Sequence, residues 1–263
     1  MRTPTPVAVG SLLLLAGLVA ALVVREAPRA AGPQPLVVYV AASLRPAMTL
    51  VAADYEAATN RRVELRFGAS EDILARVEFP SASDPADAFL PADDSYLRIA
   101  ADKGLIADTV PLSVMRAVVL LPPASQQRTS VAGWADLTRP GTRVSVANEA
   151  AAVGKLVRSR LTALGKWGEL NSNVIGAGTV TESANASRVG AVDAAVVWDA
   201  VARNYPAQST LNLPELAGIR AGVTIATLTQ ARDPAAAEAF VKYVAGPGFA
   251  RFRELGFPAW SEK

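Results

Sequence analysis

The chain has 263 residues and contains neither cysteine nor histidine. Those two absences exclude disulfide frameworks, thiol nucleophiles, Cys/His zinc sites, haem ligation through histidine, and Ser-His-Asp or Cys-His catalytic sets. They also remove the side chain that most readily titrates near neutral pH. Chemistry is left to hydroxyls, backbone amides, carboxylates and a few basic groups. Aromatic residues are scarce at 6% and charged ones reach only 19%, against 51% hydrophobic. That balance suits one globular unit or two compact lobes.

A surplus of charge is missing as well. The formal net charge of +2 resides in the first 31 residues, where Arg2, Arg25 and Arg29 face Glu26. The remainder is neutral and carries no Lys/Arg stripe interleaved with aromatics, so no nucleic-acid partner is expected.

What is present begins with an export leader. After Arg2 comes an uncharged run from Thr3 to Val24, with a dense apolar stretch from Ser11. This is the order of a signal peptide. The run Val7–Val24 is also just long enough to span a bilayer as a helix. Residues 1–31 therefore read as a cleaved signal peptide or a retained membrane anchor, and the absence of cysteine excludes a lipid-modified one. Either way the folded part is expected outside the cytoplasmic membrane, periplasmic or extracytoplasmic. Residues 32–35, Gly-Pro-Gln-Pro, read as a short stiff linker.

The next segment, Leu36 to Ala42, is a continuous apolar run ending at Ser43, the mark of a strand buried on both faces. An amphipathic helix is expected from Leu44 to Thr59, with Leu44, Met48, Val51, Ala52 and Tyr55 on one side. A strand over Arg62–Phe67, a helix over Glu71–Glu78, a strand over Ala88–Leu90 and a helix over Ser95–Lys103 complete a βαβαβα alternation. Val114–Leu121, closed by Pro122-Pro123, is an apolar strand at which we place a crossover between lobes. The alternation then restarts: strands over Arg143–Val146, Val174–Ala177 and Ala194–Val197, helices over Val153–Ala163 and Thr181–Val189. Val223–Leu228 reads as a returning strand, followed by helices over Pro234–Val244 and Pro247–Leu255. The expected fold is α/β, with two doubly wound lobes joined by a hinge. Lobe 1 takes residues 36–113 and 222–263, and lobe 2 takes 114–221.

Small and hydroxyl residues stand where strands run into helices. Ser43 ends the first strand, Ser70 follows the second, Gly154 follows Val153 at a helix start, and Val180 lies between Thr179 and Thr181. In open α/β sheets ligands bind beyond the carboxyl ends of the strands. Free amides there, with the helix dipole, favour an anion without a formal cation. Taken singly, each serine is an ordinary N-cap; the set is what points to a small oxyanion.

The segments Val40-Ala41-Ala42-Ser43-Leu44, Phe67-Gly68-Ala69-Ser70 and Pro85-Ala86-Asp87-Ala88-Phe89-Leu90-Pro91-Ala92-Asp93 resemble, in order and spacing, the periplasmic molybdate-binding proteins of ABC importers. Lys103-Gly104-Leu105-Ile106, Leu164-Gly165-Lys166-Trp167, Ala194-Ala195-Val196-Val197-Trp198 and Gly256-Phe257 continue the series. The resemblance covers about Leu36 to Phe257. It implies a type II periplasmic binding protein whose cleft closes on a tetrahedral oxyanion, molybdate or tungstate. It implies no cofactor, no metal and no catalysis, and an importer permease as partner; we expect a monomer. The family's two serine donors fall on Ser43 and Ser70, its backbone amides on Val153 and Val180, and its tyrosine on Trp198.

The departures concern the ligand. Trp198 offers one indole N–H in place of a phenol. Glu71 and Asp72 follow Ser70, where the family has small and hydroxyl residues; we read them as dipole partners in a first helical turn, whereas a Glu71 aimed into the cleft would signal a metal or protonated ligand. The loop Asn148–Ala152 is one residue shorter than the family's and lacks its proline, which leaves the register at Val153 open by a residue. Arg45 and Lys155 adjoin the set and read as solvated helix residues. Asp87 and Asp93 read as turn and capping residues. Two alternatives therefore stay open: the same fold with sulfate, phosphate, an organic acid or a metal-bound species, or a membrane-tethered sensor. An enzyme is not expected, because Asp93 and Asp94 are adjacent and so do not face one bond, and no S-x-x-K motif is present.

Overall fold

The computed structural model describes residues 34–81 and 85–260. The expected leader, residues 1–31, and the start of the linker lie outside the described residues. Among those described, no helix is long and apolar enough to cross a membrane.

The strands are β1 (Leu36–Ala41), β2 (Val63–Gly68), β3 (Ala88–Leu90), β4 (Ile106–Leu120), β5 (Val144–Ala147), β6 (Val174–Ala177), β7 (Ala194–Trp198), β8 (Thr210–Leu211) and β9 (Arg220–Leu228). The helices are α1 (Arg45–Thr59), α2 (Ser70–Glu78), α3 (Asp94–Asp102), α4 (Trp134–Leu137), α5 (Ala152–Ala163), α6 (Trp167–Asn171), α7 (Val180–Arg188), α8 (Asp199–Ala202), α9 (Pro234–Ala245) and α10 (Phe249–Glu254). A single turn of 3-10 helix, Ala42–Leu44, joins β1 to α1.

The strands lie in the order β2-β1-β3-β9-β4-β7-β5-β6, with β8 on β4. The pairs β1–β2, β1–β3, β5–β6 and β5–β7 are parallel, as strand-helix-strand units require. Between them run β4 and β9, antiparallel to each other along most of their lengths. β9 joins the first half-sheet through β3, and the end of β4 joins the second through β7. The chain thus crosses from one half to the other on β4 and returns on β9.

β4 is much longer than the apolar run Val114–Leu121 suggests. Its first part, Ile106–Pro111, is exposed apart from the half-buried Ile106 and Val110, and pairs with β9 across bulges near Asp108 and Leu112. An edge-lying, solvated strand with a proline carries no hydrophobic signature, so only the buried part was legible.

All six residues of β1 are buried, which accounts for its unbroken apolar run. The inward face of α1, with Met48, Val51, Ala52 and Tyr55, packs on the same core, and Pro46 fits its first turn. Each fully buried Val, Leu or Met here contributes roughly 1.5–3 kcal/mol. Asp93 caps α3 by accepting the Ser95 amide hydrogen at 2.9 Å. Asp87 does more than turn the chain. Buried, it accepts from the Val37 amide at 2.8 Å and from the Arg232 guanidinium at 2.7 Å, tying β1 and β3 to the segment before α9.

Candidate functional site

Four helical starts meet at the carboxyl ends of the parallel strands. They enclose a cavity of about 20 Å³ whose walls include Ser43, Ser70, Val153, Val180 and Trp198. All five sequence-predicted residues thus fall on one cavity, drawn from both half-sheets. The walls hold no Asp, Glu, Lys or Arg.

Ser43 lies in the 3-10 turn after β1 and is only 4% exposed. Its hydroxyl has no hydrogen-bond partner. A buried hydroxyl left so costs free energy that folding alone does not recover. Ser70 is the first residue of α2 and 2% exposed. Its Oγ accepts the Ala92 amide hydrogen at 3.1 Å, which leaves its own hydrogen free to donate. Neither serine caps a helix, since no side-chain cap bond exists at the start of the 3-10 turn, α1 or α2. The ordinary N-cap reading of both is thereby set aside.

Val153 is the second residue of α5 and Val180 the first of α7. First-turn amides have no acceptor within their own helix, and none elsewhere among the described residues meets either one. Thr179 accepts the Glu182 amide hydrogen, which orders the turn that presents Val180. At α5, Gly154 is required for close approach. A Cβ there would lie 2.1 Å from the Ala147 carbonyl oxygen and 2.2 Å from that of Asn148, so the helix start is pressed onto the end of β5. Ala152 also lines the cavity beside Val153. Trp198 closes β7, precedes α8 and is 1% exposed.

The two acids after Ser70 do not line this cavity. Glu71 borders a separate cleft of about 490 Å³ with Tyr96, Glu149 and Lys155, and Asp72 a groove beside β2. Both stand in the first turn of α2, favourable to its dipole. Among the described residues no group of three or more Asp or Glu is placed to hold a metal.

The sequence reading missed the contacts that join the halves. The Ala150 carbonyl, beyond β5, accepts the Glu71 amide hydrogen at 3.0 Å and the Tyr96 hydroxyl at a long 3.5 Å. Lys155 donates to Ser95 Oγ at 3.2 Å and lies 4.5 Å from the Tyr96 ring centre. Burial, and then the nearby Glu71, Asp93 and Asp72, push the Tyr96 phenol well above its ordinary range, so it stays a donor. Lys155 is therefore not a free solvated residue. Single alanines and a tyrosine carry no motif, and nothing in the sequence marks a carbonyl as an acceptor across a cleft.

Residues 36–257 match the family described as bacterial extracellular solute-binding protein. The chain is 29% identical over 240 residues to the molybdate-binding protein ModA of Mycobacterium tuberculosis strain H37Rv, covering 89% of each, and equally to that of Mycobacterium bovis. Among solved structures, the periplasmic molybdate-binding protein of Azotobacter vinelandii aligns with a TM-score of 0.70 at 18% identity, over 85% of this chain and 98% of that one. The sulfate-binding protein SubI of Mycobacterium tuberculosis aligns at 0.72 and 15% identity, over 87% and 88%. The fold is that of the type II periplasmic binding proteins.

Proposed function

This chain belongs to the bacterial extracellular solute-binding proteins, and we propose that it captures a tetrahedral oxyanion, molybdate or tungstate, and delivers it to an ABC importer. The observation that carries this reading is the buried, unpartnered Ser43 hydroxyl in an uncharged cavity rimmed by helix starts. A cavity with donors and no carboxylate selects an anion, and hydroxyl and amide donors suit oxygens spread over a tetrahedron. The curated mycobacterial relatives named above support the ligand class.

In this reading Ser43 and Ser70 donate from lobe 1, and the Val153 and Val180 amides and the Trp198 indole N–H from lobe 2. We take residues 36–113 and 222–263 as lobe 1 and 114–221 as lobe 2, hinged on β4 and β9. Only the closed form offers both sets of donors, so the ligand shifts the population toward closure. The Ala150 carbonyl contacts would add to that closed form without touching the ligand. No group here is assigned a catalytic role.

A second reading is favoured by one observation. A cavity of about 20 Å³ is on the scale that holds a single water, and Trp198 is bulkier than tyrosine. Sulfate, smaller than molybdate, would demand less opening. Isothermal titration of the protein with molybdate, tungstate, sulfate and phosphate separates these readings. Tight binding of molybdate and tungstate alone supports the first, and of sulfate alone the second. Binding of none refutes both.

A further inference from the structure

The residues beside the cavity's donors bind across the two half-sheets. Glu71, next to Ser70, donates its amide hydrogen to the Ala150 carbonyl at 3.0 Å. Thr181, next to Val180, donates to the carbonyl of Ala42, next to Ser43, at a long 3.5 Å. Lys155 stands two residues after Val153 on α5. The movement that brings the donors around a ligand therefore makes these contacts too.

Lys155 is the charged member of this set. Its ammonium donates to Ser95 Oγ at 3.2 Å and lies 4.5 Å from the Tyr96 ring centre, both on α3 in the other half. Among the described residues it makes no ion pair and no side-chain bond within its own half. Glu149, which shares the wall of the 490 Å³ cleft with it, is held instead by Arg158 at 2.6 Å. Tyr96 is only 2% exposed, and its hydroxyl reaches the Ala150 carbonyl, so the ring is a fixed platform. A cation on a buried ring is held more firmly than one on an exposed ring, because water competes less. Lys155 is not a wall of the small cavity, so whatever it does for a ligand there it does through the other half of the protein.

We propose that Lys155 is a positioning residue that latches the two lobes together through Ser95 and the Tyr96 ring, favours closure with or without ligand, and so sets how long a captured anion stays. The residence of an anion rests on the oxyanion reading; the latch itself joins only protein groups. Opening breaks the hydrogen bond and the ring contact and returns the ammonium to water. The closed population rises by the difference between the two states. Because the latch forms after encounter, it acts on release and not on capture. A lysine that served only as surface charge would do the reverse, changing the approach of an anion in a salt-dependent way.

The test compares wild type with K155M, which keeps the length of the stem, and K155R, which keeps the charge, the stacking and a donor. Stopped-flow fluorescence with tungstate as probe gives association and dissociation rates at low and high salt. Release is expected to be about three- to thirty-fold faster in K155M and near wild type in K155R. Association at high salt should change by less than about two-fold. In parallel, spin labels on cysteines introduced by Asp102→Cys and Thr162→Cys, exposed positions in lobe 1 and lobe 2 of a chain without cysteine, report the distance between lobes in the ligand-free protein. K155M should shift that distribution toward longer distances. If it does so but no tungstate binds, the latch stands and the proposed function falls. A distance distribution that K155M leaves unchanged, or an unchanged release rate, overturns the proposal. Slower association at low salt with normal release also overturns it, by making Lys155 a surface charge. Equal losses in K155M and K155R, with lower urea stability in both, overturn it in favour of a structural role.

Discussion

Replacing each serine of the cavity by alanine separates a hydroxyl kept for a ligand from one that also holds the fold. Ser43 Oγ has no partner, so Ser43→Ala removes no bond of the folded protein. It relieves a buried unsatisfied group, and ligand-free stability should stay level or rise by up to about 1 kcal/mol. Ser70 Oγ accepts the Ala92 amide hydrogen at 3.1 Å, and Ala92 is itself buried. Ser70→Ala strands that amide at a cost of about 1–3 kcal/mol, a fall in Tm of roughly 2–12 °C at about 2–4 °C per kcal/mol. Toward an anionic ligand the two should look alike. Each loses a hydrogen bond to a charged group worth about 1.5–3 kcal/mol, or about 10- to 150-fold in Kd. Urea unfolding without ligand and titration calorimetry with the oxyanion that binds best give the four numbers. Equal destabilisation by both variants would refute the assignment of their hydrogen bonds. Unchanged affinity in both would sink the site itself.

Gly154→Ala should cost at least about 1–3 kcal/mol of stability or ligand affinity, because its Cβ would overlap two carbonyl oxygens far inside van der Waals contact and α5 must move; thermal unfolding with and without ligand reads both. Trp198 lines the cavity, so binding should change the intrinsic fluorescence, and Trp198→Phe should abolish that change while Trp134, Trp167 and Trp260 remain; a change that survives the substitution places its source elsewhere. No titratable group lines the cavity, so affinity for an oxyanion of fixed charge should be flat between about pH 5 and 9; a titration in that window would implicate a group outside it. Acid stability should behave differently. An Arg251 hydrogen bond holds the Asp54 carboxyl below its usual range, the Ala132 amide that of Asp136, and Lys166 that of Glu215. Burial raises Asp193, but its bonds from Arg143 outweigh this and leave it lowered. Carboxyls depressed by folding stabilise it above their unfolded pKa values, and that stability is lost as pH falls through the folded ones. Tm should therefore hold above about pH 5 and decline below about pH 4, and a plateau continuing to pH 2 would contradict these pairings.

The elements followed from pattern where burial was two-sided or strictly amphipathic. The apolar run into Ser43 became β1, and Met48, Val51, Ala52 and Tyr55 became the inner face of α1. The strand-to-helix junctions at Ser43, Ser70, Val153 and Val180 could be read because a strand end followed by a small residue is a local feature. The first part of β4 could not, since exposed residues pairing with a distant strand leave no local trace. The short helices α4, α6 and α8 were also missed, being too short to show a period.

Local chemistry thus determined which residue types stood at which strand ends: small and hydroxyl residues, in a chain without histidine or cysteine. Tertiary structure decided the rest. It left Ser43 without a partner while giving Ser70 one, aimed Glu71 and Asp72 away from the small cavity, and set Arg45 on Phe67. It also bound Tyr96 and Glu71 to the carbonyl of Ala150. Each of these depends on where two segments far apart in the chain come to rest, and hydrogen-bond satisfaction across such distances is a property of the packed molecule, not of any stretch of sequence.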